Sequence, residues 1–487
     1  MGYNGSEVDM KKLKELIKTD YDVNVFGIKI NSKEVEKGDM FVCIKGVKTD
    51  RHDFIEEAIK NGASCIIGEK DIECSIPYVK VKNTNYILPE LCRKFYDFDR
   101  LNLKIIGVTG TDGKTTTTTS IQYLIGKDKC GYIGTNGVSC AKFTKDSPNS
   151  TPDPTLLYKY FKEFYDAGCE YVVMEASSEG FLRGRLDDLY FTAGGYTNIS
   201  WEHVNVHGSF DNYVKCKLKC ASQTNGKFII NNDDEYHDRF KEKALNTLSY
   251  GESKNSDLYI KDYTVTSRYT NVTFVYLGSE YSFTSPLLGK FNVYNLACAM
   301  LICLSLGFDM ESLIENTMNI DVSGRVEMIN LGQNFQVMVD YAHTPNGIKS
   351  ILDFVRILEV NRAIVVIGSA GERDYKKRPI MGRTVIDNAD YAIFTYEDPR
   401  SEDPLDIINQ MTSEIDDKSK YEIVVDRSLA IKKAIDIARP NDIVLVLGKG
   451  SETYEKLKNE TIYFNDMEES RKWIKERLER EKISIAN

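Results

Sequence analysis

No CxxC pair occurs among the 11 cysteines of this 487-residue sequence, and none has a histidine at zinc-finger spacing. That excludes the common cysteine-ligated zinc modules, and scattered thiols fit a reducing, cytoplasmic compartment. The sequence has no block of Lys and Arg, and its formal net charge is -10. A nucleic-acid partner held through counterion release is therefore not expected. The longest apolar run, Leu296 to Leu306, falls well short of the about 20 residues that cross a bilayer. The opening MGYNGSEVDMKKLKELIK contains no apolar signal core. No membrane insertion is expected. Internal repeats and low-complexity segments are missing too, apart from the threonine run at 115–119.

What is present is an alternation. Short apolar runs ending in Gly, Ser or an acid (CIIGE, KIIGVTG, YVVMEAS, RAIVVIGSAG, YAIFTY and DIVLVLGKG) are separated by amphipathic helical stretches. This predicts an α/β chain with mostly parallel sheets, whose ligand sites lie beyond the strand C-termini. Length suits roughly three domains of about 150 residues. The charged stretch CRKFYDFDRLNLK and the stretch NIDVSGRVEMINLG place boundaries that divide the chain into 1–101, 102–324 and 325–487. CKLKC, with Cys216 and Cys220, reads as a helix face rather than a metal site.

The segment IIGVTGTDGKTTTTTS, Ile105 to Ser120, contains a Gly-Lys-Thr triplet, but the usual P-loop glycine five residues earlier is replaced by Val108. The preceding glycine is Gly110, which gives a tighter GTDGKT. A strand, a Gly-rich turn and a helix direct backbone N–H groups and the positive helix end at an anion. Lys114 is expected to reach the terminal phosphates of ATP and Thr115 to meet Mg2+, with Gly110, Thr111, Asp112, Gly113 and Thr116 lining the nucleotide.

GTDGKT resembles the loop of the Mur ligases and their folylpolyglutamate synthetase relatives. The resemblance implies that ATP activates a carboxylate as an acyl phosphate, which an amine then attacks. Further stretches match in order. YVVMEASS offers Glu175, and YTNISWEHVNVHG offers His203, as magnesium ligands. YVKCKLKC aligns Lys217 with a lysine that family members carbamylate with CO2. LLGKFNVYNLACAM gives Asn292 and Asn295, SGRVE gives Arg325, and VDYAHTPNG gives Asp340 and His343 as ATP contacts. Lys114, Lys217 and His203 are the implied catalytic residues.

About a hundred residues precede the loop, unlike in folylpolyglutamate synthetases, and they resemble the uridine-binding domain of the Mur ligases. Ser32 and the turn Val47, Lys48, Thr49 are its candidate contacts, and Lys33 stands where arginine is usual. NSTPDPTLLYKYF resembles the segment of the branch that adds the third residue to UDP-MurNAc-L-Ala-D-Glu. It implies Asn149, Ser150 and Thr151 as substrate contacts, joined by Ser177, Arg183 and Arg185. Arginine suits carboxylate and phosphate oxygens because its planar fork binds them bidentately.

In the last region, GSAGERDYKKRPIMG offers Arg373, TYEDPRSEDP offers Glu397, Asp398, Pro399 and Arg400, and LGKGSETYE offers Gly448 and Glu452. An arginine at position 400 marks members that add meso-diaminopimelate, so that diamino acid is favoured and L-lysine stays open. Departures from the family pattern occur at Glu397, Asp398, Glu179, Glu202, Asn205 and Ser451, as in a divergent member. The expectation is a monomer with a central P-loop NTPase-like sheet, an N-terminal UDP-binding domain and a C-terminal Rossmann-like domain. Alternatives are a Mur-like ligase acting on another precursor and a weakly active regulatory paralogue.

Overall fold

The computed structural model describes residues 10–46 and 49–486. Three larger sheets follow one another along the chain, of 4, 11 and 6 strands. In the central one, Lys104–Thr109 lies between Tyr171–Glu175 and Ala193–Tyr196, parallel to both. Ile105 to Thr109 are all buried, which is why this strand reads as a continuous apolar run rather than an alternating one. On one side Cys130–Gly134 continues parallel before the antiparallel strands Gly137–Cys140 and Phe143–Lys145. On the other, Lys227–Asn231, Asn246–Gly251 and Leu258–Val265 run parallel, and Thr270–Tyr276 and Ser279–Ser285 finish the sheet antiparallel.

Helix Lys114–Ile125 follows the Gly110–Gly113 turn, with its threonine run buried. Threonine is a weak helix former because its branched side chain loses rotamer freedom. Here burial and local hydrogen bonds compensate: the Thr118 hydroxyl donates to the carbonyls of Lys114 and Thr115. Helix Lys290–Ser305 packs against it and is buried almost all round, so the apolar run at 296–306 is core. No described helix is long and apolar enough to cross a membrane. Cys216 and Cys220 lie buried on helix Phe210–Ser222, and all 11 cysteines are free.

The N-terminal sheet pairs Ile28–Lys29, Met40–Val42, Cys65–Gly68 and Tyr78–Lys80 in parallel. It is joined to the central region through one apolar cluster, in which Leu88, Leu91 and Phe95 of helix Thr84–Phe95 share a core with Leu157, Phe161 and Phe164 of helix Pro154–Asp166. The C-terminal sheet has Gln336–Asp340, Ile443–Leu447, Ala363–Ile367, Tyr391–Phe394 and Tyr421–Ile423 parallel and in that order, with Glu327–Ile329 antiparallel at its edge.

One buried ion pair ties the C-terminal helices to this sheet. Arg427 donates bidentately to Asp466, Nε to Oδ1 at 2.8 Å and Nη2 to Oδ2 at 2.7 Å, and Nη2 also reaches the Leu447 carbonyl at 2.9 Å. Both side chains are fully buried. Removing one partner strands the other charge, so Asp466→Ala is expected to cost about 3–5 kcal/mol. A clear fall in the urea midpoint of the C-terminal region checks this; an unmoved midpoint would mean that water replaces the carboxylate.

Candidate active site between the central and C-terminal sheets

The loops that follow Lys104–Thr109, Gln336–Asp340, Ala363–Ile367, Tyr391–Phe394 and Ile443–Leu447 converge on one cavity of about 660 Å3. Strand C-termini in open α/β sheets form such crevices because their loops diverge there. At the phosphate loop, Gly110 has φ +144° and a Cβ there would come 1.9 Å from Thr197 Oγ1. Gly113 has φ +82° and a Cβ would lie 2.2 Å from Asn295 Oδ1. The shifted glycine is thus where the neighbouring strand's loop presses on the turn.

Lys114 folds back over its own loop, donating to the Gly110 carbonyl at 2.9 Å and the Thr111 carbonyl at 2.8 Å. Burial holds its ammonium pKa below the ordinary value. Thr115 Oγ1 donates to Glu175 Oε1 at 2.9 Å and accepts from Arg325 Nη2 at 3.1 Å. Glu175 is 1% exposed and also accepts from the Thr135 backbone N–H at 2.8 Å. Lys217, 2% exposed, reaches the same Gly110 carbonyl at 2.5 Å and sits 4.7 Å over the Tyr213 ring. Its pKa falls well below that of a free lysine, through burial and then through the nearby Lys114 charge. His203 lines the cavity from a left-handed backbone position, φ +56°, and burial with the charge of Lys217 keeps it neutral.

The structure therefore gathers Lys114, Thr115, Glu175, His203 and Lys217 around one end of the cavity. A hydroxyl and a carboxylate in contact are hard oxygen donors that suit Mg2+, which keeps waters and phosphate oxygens as its remaining ligands. Among the described residues no group of three or more His, Cys, Asp or Glu is placed to hold a metal ion. Mg2+ would thus depend on Thr115, Glu175 and the nucleotide together.

A second cavity of about 210 Å3 continues from Asp112, Gly113 and Thr116 to Asn295, Asp340 and His343. Asn292 lies behind it, its Oδ1 accepting from Asn295 Nδ2 at 3.0 Å. Asp340 accepts the backbone N–H groups of Val326 at 2.8 Å and Ala342 at 2.7 Å, so it shapes the loop carrying His343. Burial pushes the His343 pKa down to about 3.

At the other end of the main cavity, Glu397, Asp398 and Arg400 face Arg373 and Glu452. Glu397 Oε2 and Arg400 Nε are buried without a partner. Arg400 has φ +55°, a conformation that costs a non-glycine residue and is retained where other contacts dictate it. Asp398 Oδ1 accepts from Lys449 Nζ at 2.8 Å and from the Lys456 backbone N–H at 3.2 Å; Glu452 Oε2 accepts from Lys449 at 3.3 Å. A Cβ at Gly448 would lie 2.5 Å from Glu397 Oε2, while Pro399 turns its carbonyl toward Gly371.

Of the remaining expected contacts, Asn149, Ser150, Ser177 and Arg185 line the cavity, and Thr151 and Arg183 do not. The Thr151 hydroxyl donates to the Glu175 carbonyl at 2.7 Å and its own carbonyl accepts from Arg185 at 2.8 Å, so Thr151 braces that wall. Ser32 and Thr49 lie away from the cavity; the Ser32 hydroxyl donates to Glu57 at 2.5 Å. Val47 and Lys48 fall outside the described residues.

Family models match most of the chain: Mur ligase family, catalytic domain, over 24–101; Mur ligase middle domain over 108–303; and Mur ligase, glutamate ligase domain, over 324–450. A UDP-N-acetylmuramoyl-L-alanyl-D-glutamate--2,6-diaminopimelate ligase of Geobacillus kaustophilus is 34% identical over 467 residues, 93% of this chain and 96% of the relative. The chain belongs to the Mur ligase family. The Aquifex aeolicus ligase of the same name is 36% identical over 449 residues, 91% of this chain and 92% of the relative. A solved ligase of that name superposes with a TM-score of 0.67 at 28% identity, covering 96% of this chain and 99% of that one. MurF of Thermotoga maritima in complex with ADP shares the fold, with a TM-score of 0.69 at 20% identity, covering 93% of this chain and 98% of that one.

Against the Mur ligase pattern, three of the departures have partners in this chain. Glu202 Oε1 accepts from Lys377 Nζ at 3.0 Å across the two sheets, and that lysine also donates to the His343 carbonyl at 3.0 Å. Ser451 donates to Asn136 Oδ1 at 3.0 Å, again across the cleft. Glu179 pairs with Arg183 at 2.6 Å. Two of the substituted positions, Glu202 and Ser451, thus bond across the cleft. Lys377, Lys449 and Asn136 were missed as site residues: the lysines stand inside DYKKRPIMG and LGKGSETYE, but a lysine beside a glycine or on a helix is ordinarily solvated.

Proposed function

We propose that this Mur ligase uses ATP to join a diamino acid, 2,6-diaminopimelate ahead of L-lysine, to UDP-MurNAc-L-Ala-D-Glu in peptidoglycan precursor synthesis. The supporting observation is that one cavity connects the phosphate loop to a pocket lined by two side chains of opposite sign, Arg400 and Glu397, each with a buried atom, Nε and Oε2, that has no partner in the protein. A diaminopimelate side chain ends in both a carboxylate and an ammonium and would satisfy both; lysine would leave the guanidinium unpaired. The same reading places the chain in the cytoplasm as a monomer, divides it at 101/102 and 324/325, and gives the uridine end to Ser32 and the 47–49 turn.

Lys114 leaves its own loop carbonyls for the phosphates, and Arg325 adds a second cation beside Thr115. The loop N–H groups and the helix N-terminus hold the nucleotide in line with the D-Glu carboxylate. A carboxylate oxygen attacks the γ-phosphorus, ADP leaves, and the acyl phosphate forms. The amine nitrogen of the diamino acid then attacks the acyl carbon, phosphate departs, and the nitrogen loses a proton to give the amide. Mg2+, held by Thr115, Glu175 and the nucleotide, with His203 at the same end of the cavity as a further ligand, would neutralise phosphate charge as it builds. Burial disfavours the charged form of Lys217 and so favours the neutral amine that adds CO2, and its carbamate would supply an anionic ligand. Lys377–Glu202 and Ser451–Asn136 keep the cleft closed against water that would hydrolyse the acyl phosphate.

Phosphate release with UDP-MurNAc-L-Ala-D-Glu, ATP and Mg2+ tests this, supplying meso-diaminopimelate, L-lysine and L-ornithine in turn. Release is expected with diaminopimelate, and none with any amine would overturn the reading. Arg400→Met is expected to cut kcat/KM for diaminopimelate by about 100-fold, the worth of a buried charge-assisted pair, while lysine use changes little. Equal losses for both amines would remove Arg400 from selection.

A further inference from the structure

Glu455 lies just beneath the amine pocket without lining it. It is 1% exposed on strand Tyr454–Lys456, whose next residue is hydrogen-bonded to the selecting loop: the Lys456 backbone N–H donates to Asp398 Oδ1 at 3.2 Å and its carbonyl accepts from Arg400 N at 2.9 Å. Glu455 Oε2 accepts from the hydroxyl of Tyr396, the residue before Glu397, at 3.3 Å; Oε1 is buried with no partner. The charged groups around it are Lys449 from the glycine loop, Arg427 from helix Arg427–Ile437, and Asp398. Arg427 already has its counterion in Asp466. Lys449, whose ammonium is bonded to Asp398 and Glu452, is therefore also the cation that acts most strongly on Glu455.

We propose that Glu455 is a positioning residue for the amine: its charge, acting through Lys449, sets how much negative potential Asp398 and Glu452 add to that of Glu397 at the side-chain ammonium of the incoming diamino acid. The inference rests on the ligase reading above. Burial raises the Glu455 pKa to about 7, with Lys449, Arg427 and the Tyr396 hydrogen bond pulling the other way. Below that pH the group is neutral and Lys449 is free to cancel Asp398 and Glu452; above it, Glu455 draws on Lys449 and the pocket becomes more attractive to a cation.

The test is the pH dependence of KM for the diamino acid between pH 6 and 8, in the wild type, Glu455→Gln and Tyr396→Phe. The KM of Glu455→Gln relative to wild type is expected to rise roughly three- to tenfold across that window, the size of one charge felt over several Å in a partly buried setting. The change is expected in the amine KM rather than in the ATP KM. Tyr396→Phe removes a hydrogen bond that favours the ionised carboxylate, so it should move the wild-type inflection to higher pH. A KM ratio that stays constant while the wild type turns over the amine overturns the role of Glu455. Wild-type protein without amine-dependent turnover overturns the ligase reading instead. If Glu455→Gln does not fold, an unmoved inflection in Tyr396→Phe overturns the inference.

Discussion

Lys114→Ala is expected to lower amine-dependent phosphate release about 1,000-fold, at the upper end of what one preorganised donor to a developing charge contributes. The reason is local. The ammonium is buried, it donates to the carbonyls of Gly110 and Thr111, and it lines the cavity beside the loop whose N–H groups face a phosphate. Those carbonyls hold it next to the nucleotide site without bracing distant parts of the chain. Burial already disfavours its charged form, so the variant should unfold no earlier than wild type in a thermal melt, which separates lost chemistry from lost fold. ADP binding by calorimetry should weaken in parallel. Undiminished turnover would remove this loop from the mechanism.

The strands legible in the sequence were those buried on both faces. KIIGVTG, YVVMEAS, RAIVVIGSAG and DIVLVLGKG become Lys104–Thr109, Tyr171–Glu175, Ala363–Ile367 and Ile443–Leu447, because a parallel strand covered by helices has no polar side to interrupt the run. The antiparallel strands Leu258–Val265, Thr270–Tyr276 and Ser279–Ser285 mix exposed and partly buried residues with few buried ones. Their composition is half polar, and no single segment of it announces a strand. Strand order was not legible, since it depends on which apolar faces meet after the chain has crossed over.

In the site, residues fixed by local backbone demands were read more readily than those fixed by distant partners. Gly110 and Gly113 are required by close approach to Thr197 and Asn295, and a shifted glycine is visible in the sequence even when its cause is not. Lys449 and Lys377 owe their burial largely to Asp398 and Glu202, carboxylates supplied by other strand ends. Asp398 read alone is an acceptor that would repel a substrate carboxylate; paired with Lys449 it is largely compensated, and Arg400 keeps its unpaired N–H. The departures became interpretable only with both partners in view.

Lys217→Ala is expected to reduce turnover about 1,000-fold or more, with partial recovery when formate or acetate is added, while Lys217→Arg stays inactive under the same additions. The side chain is enclosed by Gly110 and the Tyr213 ring and stands close to Lys114. A second permanent cation there would repel Lys114 and any magnesium ion, whereas an anion would attract both. Carbamylation would convert one into the other: the neutral nitrogen would add to CO2, a proton would be released, and an anionic oxygen pair would be left at the same end of the cavity as Lys114. Truncation to alanine leaves space in which a small carboxylate can stand in for that oxygen pair; arginine fills the space and retains the charge. In the wild type, turnover should fall in buffer stripped of CO2 and return with bicarbonate. Full activity of Lys217→Arg, or wild-type turnover indifferent to bicarbonate, would show that the amine itself serves and that no carbamate is needed.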